Sequence, residues 1–119
     1  MRLEGQNQEE MEKAIQALLK FRDERDWRQF HNSKDLALAI SIEAAELNEL
    51  FLWKQGEEID QVKEEKLKEE LADVLSFALL LAEKHGLDPE QLVLDKVKKN
   101  AEKYPADKAH GTAKKYTEL

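Results

Sequence analysis

Leu36-Ala37-Leu38-Ala39-Ile40-Ser41-Ile42-Glu43-Ala44-Ala45-Glu46-Leu47-Asn48-Glu49-Leu50 is the stretch on which the fold turns. Leu36, Ala39, Ile40, Leu47, Leu50 and, farther on, Trp53 recur at helical spacing and make one apolar stripe. Glu43 and Glu46 sit inside that stripe. A second stripe is formed by Leu67, Leu71, Val74, Phe77 and Leu81, with Glu70 and Asp73 along its edge. The acid-x-x-acid spacing is not itself informative, since it recurs at 9/12, 23/26, 43/46, 46/49, 57/60 and 70/73 among 26 acidic residues. Placement separates two of these pairs from the others. A carboxylate is costly to bury unless it is paired or binds a metal, so four of them on apolar faces ask for a cation.

Working outward, the pattern is helical almost throughout, with no alternating strand segment and no repeat. A first helix is expected from about Asn7, which makes a capping-box-like pair with Glu10, to about Arg25. Trp27–Asn32 reads as an irregular connection. Ser33 is a good N-cap for a second helix running to about Lys54. Gly56 marks a turn over Gln55–Asp60, and a third helix runs from about Asp60 to His85, with Gly86 at its C′ position. Asp88-Pro89-Glu90-Gln91 restarts a fourth helix that reaches about Lys103. Tyr104-Pro105 ends it, and the remainder, about 104–119, is a polar tail expected to be extended or loosely held.

A short connection makes the second and third helices an antiparallel hairpin. Glu46 precedes Gly56 by ten residues and Glu70 follows Asp60 by ten, so both fall about 15 Å from the turn at 1.5 Å per residue. Glu43 and Asp73 are matched one turn farther along. Four carboxylates then converge, and oxygen-only ligands suit Mg²⁺ or Mn²⁺. Two other readings fit the same spacing: solvated faces of a highly charged helical protein, and neutralisation by Lys or Arg of a partner.

Composition narrows the setting. The 119 residues suit one domain with its own core, and the net charge of −7 argues against a nucleic-acid polymer or an anionic membrane as partner. There is no cysteine, which removes disulfides and thiolate chemistry. The polar opening Met1–Lys13 carries no signal-peptide pattern, and the longest apolar run, Val74–Ala82 interrupted by Ser76, is too short to span a bilayer. A cytoplasmic protein is expected. That same run is apolar around most of its helix, which points to a subunit interface.

Further stretches carry a resemblance. These are Asp26-Trp27-Arg28-Gln29-Phe30-His31, Glu46 through Lys54, Glu69-Glu70-Leu71-Ala72-Asp73-Val74-Leu75, Asp95-Lys96 through Lys99-Asn100, Lys103-Tyr104-Pro105 and Lys115-Tyr116-Thr117-Glu118-Leu119. Together with Glu-x-x-Glu and Glu-x-x-Asp on adjacent helices, they resemble the all-α nucleoside triphosphate pyrophosphohydrolases of the MazG-like superfamily, in particular their dCTP pyrophosphatase branch. The likeness covers about 12–119. It implies an all-α, four-helix bundle and Mg²⁺-dependent hydrolysis of a nucleoside triphosphate, dCTP or a related deoxynucleotide, to monophosphate and pyrophosphate. It implies Glu43, Glu46, Glu70 and Asp73 as catalytic metal ligands. Trp27, Arg28, Gln29, Phe30, His31, Trp53 and Phe77 would shape the nucleoside pocket, and Lys96, Asn100 and Tyr104 would contact phosphates or close the site. A homotetramer, built as a dimer of dimers, is implied as well.

Two positions depart from the branch. Vertebrate members carry His where this chain has Leu18 and Tyr where it has Phe77, which bears on base and sugar preference but not on the metal. Taken alone, Trp27 and Trp53 read as core or interface residues, His31 as a cap, His85 as a cation at a helix carboxyl end, and Lys96 as part of a solvated face. A non-catalytic helical scaffold, its acidic cluster facing a basic partner, is the alternative function.

Overall fold

The computed structural model describes the backbone of residues 4–119 and the side chains of residues 10–119. The expected all-helical class holds: no strand forms among the described residues. Contacts divide them into two units, one ending at Gly86 and the other running from Leu87 to Leu119.

The first unit contains α1 (Glu4–Glu24), α2 (Ser33–Glu49) and α3 (Glu64–Lys84). α1 already runs from Glu4, so the start expected near Asn7 lies inside the helix; the Asn7 side chain lies outside the described residues. The irregular connection after α1 contains a short 3₁₀ turn, Arg28–Phe30. α2 is capped by Asn32 rather than Ser33. The Asn32 side chain accepts from the Asp35 N–H at 2.8 Å, and Asn and Ser cap about equally well. The Ser33 side chain is thereby free to bond elsewhere, and its Oγ lies 2.8 Å from Nε2 of His85, at the far end of α3. That contact joins the start of α2 to the end of α3, so the expected antiparallel hairpin is present.

Both hairpin helices are shorter than expected at the connection. α2 ends at Glu49 rather than Lys54, because the N–H groups of Leu50, Phe51 and Leu52 turn to the third carbonyl back, the tighter 3₁₀ pattern. Trp53 then takes φ 65°, outside the helical region. α3 begins at Glu64 rather than Asp60, since Gly56–Gln61 is itself a 3₁₀ segment. The far boundary is as expected, with Gly86 at φ 65° after the carboxyl end. Ser76 fits the apolar run because its hydroxyl donates to the Ala72 carbonyl at 2.7 Å.

The core of this unit is thin. Ile15, Leu36, Leu80 and Ala82 are its buried apolar residues, and no large side chain among the described residues is fully enclosed. Leu38 and Ile42, four apart on α2, and Leu71 and Leu75, four apart on α3, stay about half exposed. No helix among the described residues is long and apolar enough to cross a membrane.

The second unit holds α4 (Pro89–Lys103), capped as expected by Asp88, whose carboxylate accepts from the N–H of Glu90 and Gln91. Its tail is not simply extended. A helical turn, α5 (Ala106–Ala109), and a 3₁₀ turn at Tyr116–Glu118 interrupt it. Tyr104 and Tyr116 meet edge to face at 6.0 Å, which gives the tail an anchor that a purely polar composition does not advertise.

Candidate metal and nucleotide site

α2 and α3 bring Glu43, Glu46 and Glu70 together: each offers a carboxylate oxygen within 4.8 Å of the others. Glu43 and Glu70 are half-buried, and Glu46 is exposed at the rim. One oxygen of Glu43 and one of Glu70 are enclosed with no hydrogen-bond partner. Buried acceptors are nearly always satisfied, so two orphaned carboxylate oxygens facing one cluster mark a place where a cation fits. The donors are hard oxygens only, and a divalent ion with oxygen distances of about 2.0–2.6 Å spans such a set. Asp73 is not in this group of three. It is exposed, but its charge still acts on Glu43 and Glu70.

The electrostatics show the cost of the arrangement. Loss of solvent pushes the Glu43 carboxyl up to about 7, with the close Glu46 carboxylate and the charges of Asp73 and Glu70 adding to the effect. Glu70 is raised for the same reasons, loss of solvent first, then Glu46 and Asp73. Between the ordinary value of 4.5 and about 7, the folded metal-free chain therefore holds a proton on Glu43 that the unfolded chain releases. Stability falls with pH wherever the folded state binds more protons. We expect metal-free protein to lose stability as pH rises from about 4.5 to about 7 and then to level off. Urea melts in EDTA across that range check this; a stability that rises there would remove the repulsive cluster.

The other expected site residues divide into separate groups. His31 and Phe77 meet edge to face, ring centroids 6.5 Å apart, and His31 Nδ1 is enclosed without a partner. Burial, together with the positive charges of Arg22 and Lys84, lowers the His31 pKa. Trp27 turns instead to Phe21, at 5.7 Å, and Gln29 donates to Asp26. Phe30 is exposed, and Arg28 lines a cationic cavity with His31. Trp53 stands 86% exposed. It follows α2 whereas Trp27–His31 precedes it, and a 17-residue helix is about 25 Å long. One face of this chain therefore does not gather both aromatic groups. Lys96 and Asn100 belong to the second unit, four apart on one face of α4, with the C-cap Tyr104 four residues farther.

Sequence reasoning missed the Ser33–His85 contact and the cations Arg22 and Lys84. The signal for the second was present, a basic residue in the last turn of each of two helices.

Comparison with known proteins gives a consistent result. Residues 38–119 match the model of the MazG-like family. The chain is similar to dCTP pyrophosphatase 1 of Rattus norvegicus, 42% identical over 104 residues, and of Homo sapiens, 43% identical over 104 residues. Each match covers 83% of this chain and 61% of the relative, so the chain spans about three fifths of the length of these curated relatives. A pyrophosphatase structure from Archaeoglobus fulgidus superposes with a TM-score of 0.76 at 39% identity, covering 81% of this chain and 93% of the other.

Proposed function

This chain belongs to the MazG-like family, and on that footing we propose that it hydrolyses dCTP or a related deoxynucleoside triphosphate to monophosphate and pyrophosphate, clearing the cytoplasmic nucleotide pool. The observation that carries the reading is the set of three converging carboxylates with two orphaned oxygens. Glu43, Glu46 and Glu70, with Asp73 alongside, would hold Mg²⁺, or Mn²⁺ in its place. A divalent ion there supplies charge neutralisation for phosphate oxygens and a more acidic water.

The chain's own residues do the remainder. The hairpin fixes three carboxylates on two packed helices, and Glu43 would have to be deprotonated to serve as a ligand. Water would bond to the α-phosphorus as the bond from that phosphorus to the α–β bridging oxygen breaks; pyrophosphate leaves with the electron pair, and the proton lost by the water passes to a carboxylate of the cluster and from there to solvent. The His31–Phe77 corner makes an apolar wall for the nucleoside, and Lys96, Asn100 and Tyr104, stacked along α4, would bind phosphates. Leu18 and Phe77 offer no hydrogen bond to base or sugar. A wall that bonds nothing discriminates weakly, so dCTP is expected to lead a panel that also includes other deoxynucleotides.

A panel of natural triphosphates with pyrophosphate detection and early-time ion exchange tests this. Monophosphate and pyrophosphate are expected from the first turnover. Accumulating diphosphate with orthophosphate would rule out attack at the α-phosphorus, and no turnover on any triphosphate would favour the scaffold.

The thin core and half-exposed Leu38, Ile42, Leu71 and Leu75 support a homo-oligomer, which we take as a tetramer. Light scattering at micromolar concentration is expected to give about four times the 13.8 kDa chain mass; a monomer mass would end this part of the proposal. In such an assembly Trp53, remote from His31 in its own chain, completes the nucleoside wall of a neighbouring copy. A bulky residue at positive φ is strained, and its 86% exposure leaves its ring free to reach outward.

A further inference from the structure

Away from the carboxylates of the hairpin, the first unit contains a cavity of about 140 Å³ whose charged lining is mostly basic, with Glu83 the one acid in it among the described residues. Arg22 comes from the last turn of α1, Arg28 and His31 from the connection after it, and Lys84 from the last turn of α3. The floor is Leu36 and Leu80, both buried. A water takes about 30 Å³ of liquid volume, so the space admits several waters or one tetrahedral oxyanion.

The charges do not cancel within the wall. Arg22, whose side chain is 12% exposed, bonds Asp23 at 2.8 Å, and Asp23 itself lies mostly in water. Glu83 is 3.8 Å from Arg22, too long for a hydrogen bond. Arg28 and Lys84 make no side-chain hydrogen bond or ion pair with any described residue. Against these two stand Glu83, Asp23, whose charge acts on Arg28 as well as on Arg22, and the carbonyl end of α3, worth about half a charge and confined to the last turn, so the three cations Arg22, Arg28 and Lys84 still outnumber the two acids. The chain as a whole carries −7, so a positive hollow is a local exception to its field. An apolar floor strengthens that field. His31 lines the same cavity, so an anion held there would favour its protonated ring.

We propose that this cavity binds a small phosphate-class oxyanion, gripped by Arg28 and Lys84 with Arg22 behind them. Arg presents a planar fork that matches phosphate oxygens, and Lys acts as a point charge. Cations at helix carboxyl ends also have a purely structural use, compensating the dipole; the anion requirement separates the two. Such binding does not depend on hydrolysis and is measured in EDTA without turnover.

The experiment is calorimetric titration of the full chain with inorganic phosphate in EDTA, at ionic strength held constant with chloride. Saturable binding is expected, weakened at least about fivefold in Lys84→Gln and unchanged in Lys34→Gln, whose ammonium lies on the surface beside Asp35. The His31 C2–H titration midpoint should move to higher pH with phosphate present. Binding of dCMP that is tighter than phosphate and equally dependent on Lys84 would assign the site to a nucleotide's phosphate; equal or weaker dCMP binding would assign it to free phosphate. No saturable heat, binding unaltered in Lys84→Gln, or equal weakening in Lys34→Gln would overturn the proposal.

Discussion

Glu46→Gln and Glu70→Gln are each expected to abolish turnover while leaving the fold intact. The two side chains come from different helices, yet their oxygens lie in one cluster with Glu43. Neutralising either removes a hard anionic ligand, and losing even a supporting outer partner of a metal site costs about 10–100-fold; loss of a direct ligand should exceed that. The stability readout runs the other way. The metal-free cluster is repulsive, as the raised Glu43 and Glu70 carboxyls show, so either variant should be as stable as the parent in EDTA, or more so. The parent should gain on adding Mg²⁺, because a ligand for the folded state stabilises by about 2.7 kcal/mol at a hundred times its Kd. The variants should lose most of that gain. Near-parental activity at limiting Mg²⁺ would discard the ligand assignment, and unfolding of both variants in EDTA would make these carboxylates structural.

The hairpin was legible in the sequence because two apolar stripes at helical spacing flank a glycine turn, and burial of those stripes decides the topology. Its helix ends were not. Leu50 through Trp53 continues the apolar pattern, so periodicity extends α2 past Glu49, where the backbone has already tightened into i−3 bonds. The carboxylates therefore sit nearer the helix ends than the expected boundaries put them: Glu46 lies three residues before the end of α2, and Glu70 six after the start of α3. The residues converge all the same, because both helices lost length at the same connection. Asp73 shows the limit of such counting. It shares α3 with Glu70 but stays outside the group of three, since i, i+3 spacing places a residue on a face without aiming its carboxylate. The His31–Phe77 contact was beyond sequence reach as geometry, because 45 residues separate the partners. The cationic cavity was missed for a related reason: Arg22 and Lys84 each read as an ordinary cation near a helix end until the two ends are brought to one place.

Trp53→Ala is expected to raise KM strongly with little change in kcat. Base stacking on an aromatic face is worth about 1–3 kcal/mol, or roughly five- to more than a hundredfold in binding at 1.4 kcal/mol per decade. Stacking acts on ground and transition state alike, so the loss falls on KM. The position of Trp53 adds a sharper expectation. The carboxylates of a site come from one chain, and, on our proposal, the tryptophan comes from its neighbour. Glu46→Gln and Trp53→Ala then damage different halves of a shared site. If the two variants are unfolded together, mixed in equal parts and reassembled, about a quarter of the sites in a symmetric assembly combine an intact acidic cluster with an intact tryptophan. Assayed below the KM of Trp53→Ala, the mixture should recover about a quarter of parental activity, well above the mean of the two variants alone. If Trp53 served its own chain, no mixed site could hold both groups. Activity would then equal that mean, and the tryptophan would have to reach its own His31 past the length of α2.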